Sequence, residues 1–550
     1  MSHGRLFFAD LPLATLFPRR LSGPAARQLF GGCRLRLKST AMSPRYAPSR
    51  EGGVRKQSVA GSFLFKLPNG DGKDAQVALF RRSARVSTYQ HRLAPISGSI
   101  EADDVSPLAT ALREINEETS LTLSSIELLC VGKPYTFTDD DIYREGKGEQ
   151  GIVIDWEHED FEWFNPLDVN ESEGFGGVPK LVNSLRRVWP EYDLGPQAGK
   201  VLTSGLRQLR DDHENGARQL ANMAVSTLLN VIASMDQRAI DDSWWGDVRM
   251  AAWHICQTRE SMGSAITSAV VRALDLIQTI LLSEIPRGEV VPRVVEALKA
   301  QLGQRRSTTD RIRAVFVDYL RHNVIQTDKP QKRISVLTLS SSSTISDCLL
   351  GASADLGVPL DLRILESRPL CEGVTLASRL LAPDNASVDF TVTLYSDASA
   401  ALAANDVDAV VLGADRISSA GDVSNKIGSL PAILSQRYSA PDAKVIILSE
   451  TDKIARPGLA EEHPVEENSP MELMRAWNGN VKGAQVIEDA LRTTDESSPN
   501  KVRVRNAYFE WIPARYVHAY VTDEGLWSVE NIAKRSKWIG EETDRFFKDL

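Results

Sequence analysis

The 550-residue chain predicts three consecutive folded units: an α+β unit, an α-helical domain, and a doubly wound parallel α/β domain of Rossmann-like type. Three observations carry this. Between residues 55 and 190, short β-branched and aromatic runs surround one strongly patterned helix. From about 200 to 325, apolar residues recur only at helical spacing. From Arg333 onward, apolar strand-like runs alternate with helical stretches, the pattern of a parallel sheet wrapped by helices.

Composition sets the outer bounds. Apolar residues make up 42% and charged residues 25%, an ordinary globular balance with room for several cores. A formal net charge of −9 argues against direct nucleic-acid binding, which usually needs a basic face. The five cysteines are scattered without a CxxC pair, so a thiolate zinc site is not expected. No apolar stretch reads as long enough to span a bilayer.

Residues 1–50 form a basic leader, with nine Arg or Lys against the single acid Asp10. Arg-rich, acid-poor and partly apolar is the composition of a mitochondrial transit peptide, which would place the protein in the matrix. The equal alternative is a disordered basic tail, broken by Pro12, Pro18 and Pro24, on a cytoplasmic protein.

Within 55–190, Ser62–Phe65 and Val77–Phe80 read as strands joined through the turn Asn69-Gly70-Asp71-Gly72. Ser106-Pro107 starts a helix, a cap residue followed by proline in the first turn. Leu108, Leu112 and Ile115 share one face. Glu114, Glu117 and Glu118 stand at i, i+3 and i+4, so three carboxylates converge on one patch. Such mutual repulsion makes sense around a hard cation, Mg²⁺ with Mn²⁺ as the substitute, sharing oxygens with a phosphate. The plain alternative is an exposed acidic helix.

Arg113-Glu114-Ile115-Asn116-Glu117-Glu118 resembles the core of the Nudix hydrolase box. Gly98 lies one residue further upstream than that box has its glycine. Counted from Gly98, Asp104 takes the place of the first glutamate, and Ser120 replaces the closing glycine. Asp155-Trp156-Glu157-His158 through Trp163-Phe164 is similar to the distal strands of the family. The resemblance implies that Glu114, Glu117 and Glu118 hold Mg²⁺ and set water against a phosphoanhydride, with Arg113 orienting a glutamate.

Gly174, Gly176, Gly177 and Pro179 punctuate a connector, and Leu194-Gly195-Pro196 marks a boundary. The helical domain, 196–330, carries Leu202, Leu206, Leu209, Leu220, Leu228 and Val231 at helical spacing, then further helices up to Leu320. Trp244, Trp245 and His254 are expected to pack. Arg259, between two helices, could face a phosphate.

In the domain 331–550, strands are expected at Ile334–Leu339, Leu362–Leu365, Phe390–Tyr395, Val410–Leu412 and Val445–Leu448. Each is followed by a polar cluster: Ser340–Ser343, Arg368, Asp397, Asp415 and Glu450. Parallel strands bring such ends to one edge, where ligand crevices form. Ser340, Ser341 and Ser342 lead into a helix, and Arg368, Asn425 and Lys426 add donors, so a small phosphorylated ligand is expected. Asp415 does chemistry, holds that ligand, or caps a turn.

Glu366-Ser367-Arg368-Pro369, Gly413-Ala414-Asp415-Arg416-Ile417, Asn425-Lys426-Ile427-Gly428 and Asn506 through Pro513 resemble the translation initiation factor 2B alpha/beta/delta family. Its superfamily includes methylthioribose-1-phosphate and ribose-1,5-bisphosphate isomerases. The resemblance implies a helical domain followed by a Rossmann-like domain, with a homodimer formed through the latter. It also makes Asp415 the aspartate that works with a cysteine in aldose–ketose exchange. That cysteine is replaced by Ser340, a far poorer acid or base than a thiol. The leading expectation is therefore a Nudix hydrolase fused to a ligand-binding module. A non-catalytic regulatory subunit and a sugar-phosphate isomerase are the alternatives.

Overall fold

The computed structural model describes residues 5–7, 49–51, 54–56 and 58–550, apart from 68–74, 87, 102–103, 105, 123–124, 136–156, 213–215, 236–239, 260–262, 326–332, 459–467, 478–480 and 493–501. Most of the basic leader, the turn at 69–72 and the pair Asp155-Trp156 therefore lie outside the described residues.

In the first unit, Val59–Lys66 and Gln76–Arg82 pair antiparallel. Ile96–Ser99 joins the outer side of the first strand, which sets Gly98 opposite Ala60. His158–Phe164 joins the second, which sets His158 opposite Arg82. The helix Pro107–Thr119 packs Ala111 and Ile115 against this sheet. Its start is fixed as the sequence reading expects: the Ser106 hydroxyl accepts from the Ala109 N–H, and Pro107 sits in the first turn. Phe63, Phe65, Val77 and Leu79 are buried below it, and the rings of Phe65 and Trp189 stack at 5.0 Å.

Helices Glu191–Asp211, Ala217–Ser234, Asp242–Gln257, Gly263–Leu281 and Arg287–Gln304 build a second core. Trp244 is buried there. His254 is too, and burial pushes its imidazole down to about 4, so it packs as a neutral ring. Among the described residues one helix, Gly263–Leu281, is long and apolar enough to cross a membrane by length and composition alone. Its apolar side chains face protein instead: Ile266, Val270, Leu274 and Ile277 are fully buried in the helical core. Phe546 and Phe547, from the last helix Val529–Phe547, complete that core.

The third unit is a seven-stranded sheet. Counted along the chain from Ile334–Leu339, its strands lie in the order 3-2-1-4-5-6-7. The first six are parallel. The five expected strands are all present. Ala519–Thr522 and Gly525–Trp527 add two more that no long apolar run announces, and the last pair is antiparallel. Val410, Val411 and Leu412 are fully buried at the centre of the sheet. The order reverses between the first strand and Ala409–Leu412, so Ser340 and Gly413 emerge side by side at the carboxyl edge.

Candidate active site and ligand crevice

At the first site, Arg113 organises the glutamate helix. Its guanidinium takes Asp104 through Nε at 3.3 Å and Nη2 at 3.0 Å, and Nη1 donates to Glu114 Oε1 at 2.7 Å and to Glu117 Oε2 at 3.1 Å. Asp104 also accepts from the Thr110 hydroxyl and the Glu101 N–H. Burial opposes its ionisation, but these donors outweigh that and hold its carboxyl below the usual range. Counting from Gly98 thus finds the residue that Arg113 holds. A Cβ at Gly98 would overlap the Glu114 carboxylate and push that side chain out of its place beside Arg113.

Glu118 points elsewhere, to His158, whose Nε2 lies 2.5 Å from Glu118 Oε2. His158 was named in the sequence only as part of a strand. Its role becomes visible through the pairing of His158–Phe164 with Gln76–Arg82, a long-range register that helix spacing does not encode. Arg82, held to Thr88 at 3.0 Å, adds positive charge nearby.

Among the described residues, no three carboxylate, imidazole or thiol groups already stand in a metal-holding arrangement. Arg113 and His158 instead share out the carboxylates. Two observations still fit a divalent cation here. Among the described residues Glu118 Oε1 is buried with no hydrogen-bond partner, a state that costs roughly 1–3 kcal/mol. Burial also pushes Glu114 up to about 7, against the pull of Arg113 and with the help of Glu118 and Glu117. A cation would relieve both, and Glu114, Glu117 and Glu118 are the residues that would hold it.

Ser120 ends the helix with φ 56°, the left-handed conformation, and its N–H caps Asn116 O. The glycine that the box usually has there suits this geometry. Ser120→Gly is therefore expected to stabilise the unit by about 1 kcal/mol, read as a rise in the urea midpoint at unchanged slope.

At the second site, strand ends and a side ribbon meet. The Ser340 N–H donates to the Ser367 hydroxyl at 2.8 Å, and its own hydroxyl donates to Glu372 Oε2 at 3.3 Å. Lys426 reaches Glu372 Oε1 at 3.2 Å and lies 4.8 Å from the ring centres of both Tyr508 and Phe509. Ser342 caps the helix Ser343–Leu356 through the Ile345 N–H, and Ser341 is half-buried beside it. Asn425 is buried, donates to the Ser429 hydroxyl at 2.8 Å, and lies close to Gly413, as does Ser342. Asp415 is half-buried, and its N–H pairs with Ser424 O. Among the described residues, neither the Asp415 carboxylate nor the Arg368 guanidinium has a side-chain partner. Arg368, Lys426 and Tyr508 line one shallow cleft.

Three expected members sit differently. Asp397 accepts from the Ser367 and Arg368 N–H groups at 2.9 and 2.8 Å, so it shapes the Arg368 loop. Glu450 turns to the helical domain, to Arg218 and Arg305. Arg259 donates to the backbone carbonyl of Asp212. Arg218, which the sequence reading passed over, also donates to Thr344 at 2.8 Å, at the start of the helix that follows the serines. Cys348 cannot stand in for the absent thiol: it is fully buried, and burial pushes it up to about 12.

Comparison with known proteins fits this division. A NUDIX domain model matches residues 62–184. The model of the Initiation factor 2 subunit family matches 213–529. Methylthioribose-1-phosphate isomerase of Geobacillus thermodenitrificans is 27% identical over 199 residues, 35% of this chain and 50% of that protein. The isomerase of Fervidobacterium nodosum is 31% identical over 181 residues, 32% and 45% of the two chains. The chain thus spans about half the length of the curated relatives it matches. Among solved structures, Pyrococcus horikoshii translation initiation factor eIF-2B aligns over 59% of this chain and 96% of its own, at 19% identity and a TM-score of 0.41. The family model that spans more than half of the sequence identifies the chain as a member of the initiation factor 2 subunit family, preceded by a NUDIX domain.

Proposed function

We propose that the amino-terminal unit is a Mg²⁺-dependent hydrolase of a nucleoside-diphosphate-linked or related phosphoanhydride. The second module, in this reading, binds a phosphorylated sugar or nucleotide. The observation that carries the first half is the buried, unpartnered Glu118 Oε1 beside Glu114 on a helix clamped by Arg113. When bound, a divalent cation supplies positive charge against the phosphate oxygens. The chain's own groups divide the remaining work. Arg113 fixes the Glu114 and Glu117 side chains, and Asp104 fixes Arg113. Glu117, about half exposed, is the carboxylate open to an attacking water and accepts its proton.

The test is a Mg²⁺-dependent screen of nucleotide sugars, dinucleoside polyphosphates and NAD derivatives on the full chain, with Glu117→Gln alongside. Turnover of at least one class, lost in the variant, is expected. No turnover at all, or a variant equal to wild type, sinks the hydrolase reading and leaves a non-catalytic subunit.

For the second module, Arg368 supplies a cation and Asp415 a carboxylate that are both unpaired among the described residues, a match for phosphate and sugar hydroxyls respectively. The strand order supports a Rossmann-like crevice at its switch point. A ribose-type phosphate at a hundred times its dissociation constant should stabilise the fold by about 2.7 kcal/mol, and Arg368→Ala should abolish that shift. Asp415 also keeps an isomerase reading alive. Incubation with methylthioribose-1-phosphate and ribose-1,5-bisphosphate, followed for ketose, decides between binding and turnover. Pairing through the third unit, where Leu381, Leu394 and Leu402 are exposed, would make a homodimer visible by light scattering. A matrix location rests on the leader alone.

A further inference from the structure

The glutamate patch has a regularity that the motif does not specify. Each of its three carboxylates has one oxygen taken by a basic side chain: Glu114 Oε1 and Glu117 Oε2 by Arg113, and Glu118 Oε2 by His158. Among the described residues, the other oxygen of each accepts no hydrogen bond. The patch therefore offers three single oxygens rather than three chelating pairs.

His158 is the decisive member. Glu118 is only 7% exposed and His158 13%, so neither has much water to turn toward. The imidazole also packs against Phe80, at 5.2 Å between ring centres, and its backbone is fixed in the sheet opposite Arg82. An oxygen that shares its charge with a ring nitrogen 2.5 Å away is a poor second ligand, so Glu118 can give only Oε1.

Cations read this difference. Ca²⁺ takes six to eight oxygens and gains from bidentate carboxylates, whereas Mg²⁺ and Mn²⁺ take six single oxygens in an octahedron and keep several waters. We propose that His158 is a positioning residue that restricts Glu118 to single-oxygen ligation, and so sets the amino-terminal site for small octahedral cations against Ca²⁺. This rests on the divalent-metal reading of the same site and specifies its selectivity.

The test is equilibrium metal binding to the full chain, without substrate. Mn²⁺ is followed by electron paramagnetic resonance, and Ca²⁺ by its competition for the Mn²⁺ site. Wild type is expected to prefer Mn²⁺ over Ca²⁺ by at least about a hundredfold. His158→Leu frees Glu118 Oε2 and should lower that ratio about tenfold or more, mainly through tighter Ca²⁺ binding. His158→Gln, whose amide can still donate to Oε2, should keep most of the preference. General loosening of the site would weaken both cations and leave the ratio unchanged, which overturns the proposal, as would Ca²⁺ binding to wild type as tightly as Mn²⁺. Absence of any Mn²⁺ binding removes the metal reading itself and the proposal with it. If His158→Leu does not fold, Phe80→Leu, which loosens the ring without touching Glu118, should shift the ratio the same way, and an unchanged ratio there counts against the proposal.

Discussion

Glutamine in place of Glu118 should cut phosphoanhydride hydrolysis by about a hundredfold or more while leaving the fold intact. A bound cation offers several kcal/mol of charge stabilisation in the transition state, and about 2.7 kcal/mol is already a hundredfold in rate. The amide keeps a group beside His158 but gives the cation no negative charge. Stability should hold or rise slightly, because burial already disfavours the ionised form of this carboxyl. Steady-state hydrolysis and a thermal melt on the same preparation check both halves. A large drop in melting temperature would make the side chain structural rather than functional.

Asp452→Ala should cost about 3–5 kcal/mol, the largest stability effect expected in the chain. Asp452 is 4% exposed and accepts from Arg305, from Arg272 at 3.1 Å and from the Ser268 hydroxyl at 2.9 Å. Its removal leaves Arg305, itself 8% exposed, with Glu450 at 3.9 Å as its one remaining acid among the described residues, beside the neutral Asn222 side chain. These arginines come from the helical domain and the acids from the loop after Lys444–Ser449, so the loss should loosen the seam between them. Burial works against the Asp452 charge, but Arg305 and Arg272 outweigh it and hold the carboxyl below its ordinary value. A depressed carboxyl stabilises the fold above the unfolded-state pKa of about 3.9, and that contribution is lost as pH falls below it toward the folded value. Urea unfolding at pH 7 and at about pH 3 should therefore show a smaller penalty for the variant in acid.

Local signals in the sequence were legible where one residue decides the outcome. Ser106-Pro107 started its helix, the β-branched run before Gly413 formed a central strand, and Gly98 counted forward to Asp104. The misses share one physical cause: they depend on which distant backbone lies opposite. His158 meets Glu118 through strand register. Glu450 leaves the crevice because Arg218 and Arg305 of another unit offer a stronger partner. Ala519–Thr522 is a strand because Ile446–Ser449 lies alongside it, not because of its own pattern.

Phe546 and Phe547 carry a consequence for synthesis. They complete a core whose other members end at Leu298, so the helical bundle lacks two of its aromatic side chains until roughly 250 more residues have been added. At about 5–20 residues per second, that leaves it open at the ribosome for roughly 12–50 s. Throughout that interval the face of Trp245 that later meets the Phe546 ring stays uncovered, whereas the core of the NUDIX unit is complete in sequence by Trp189.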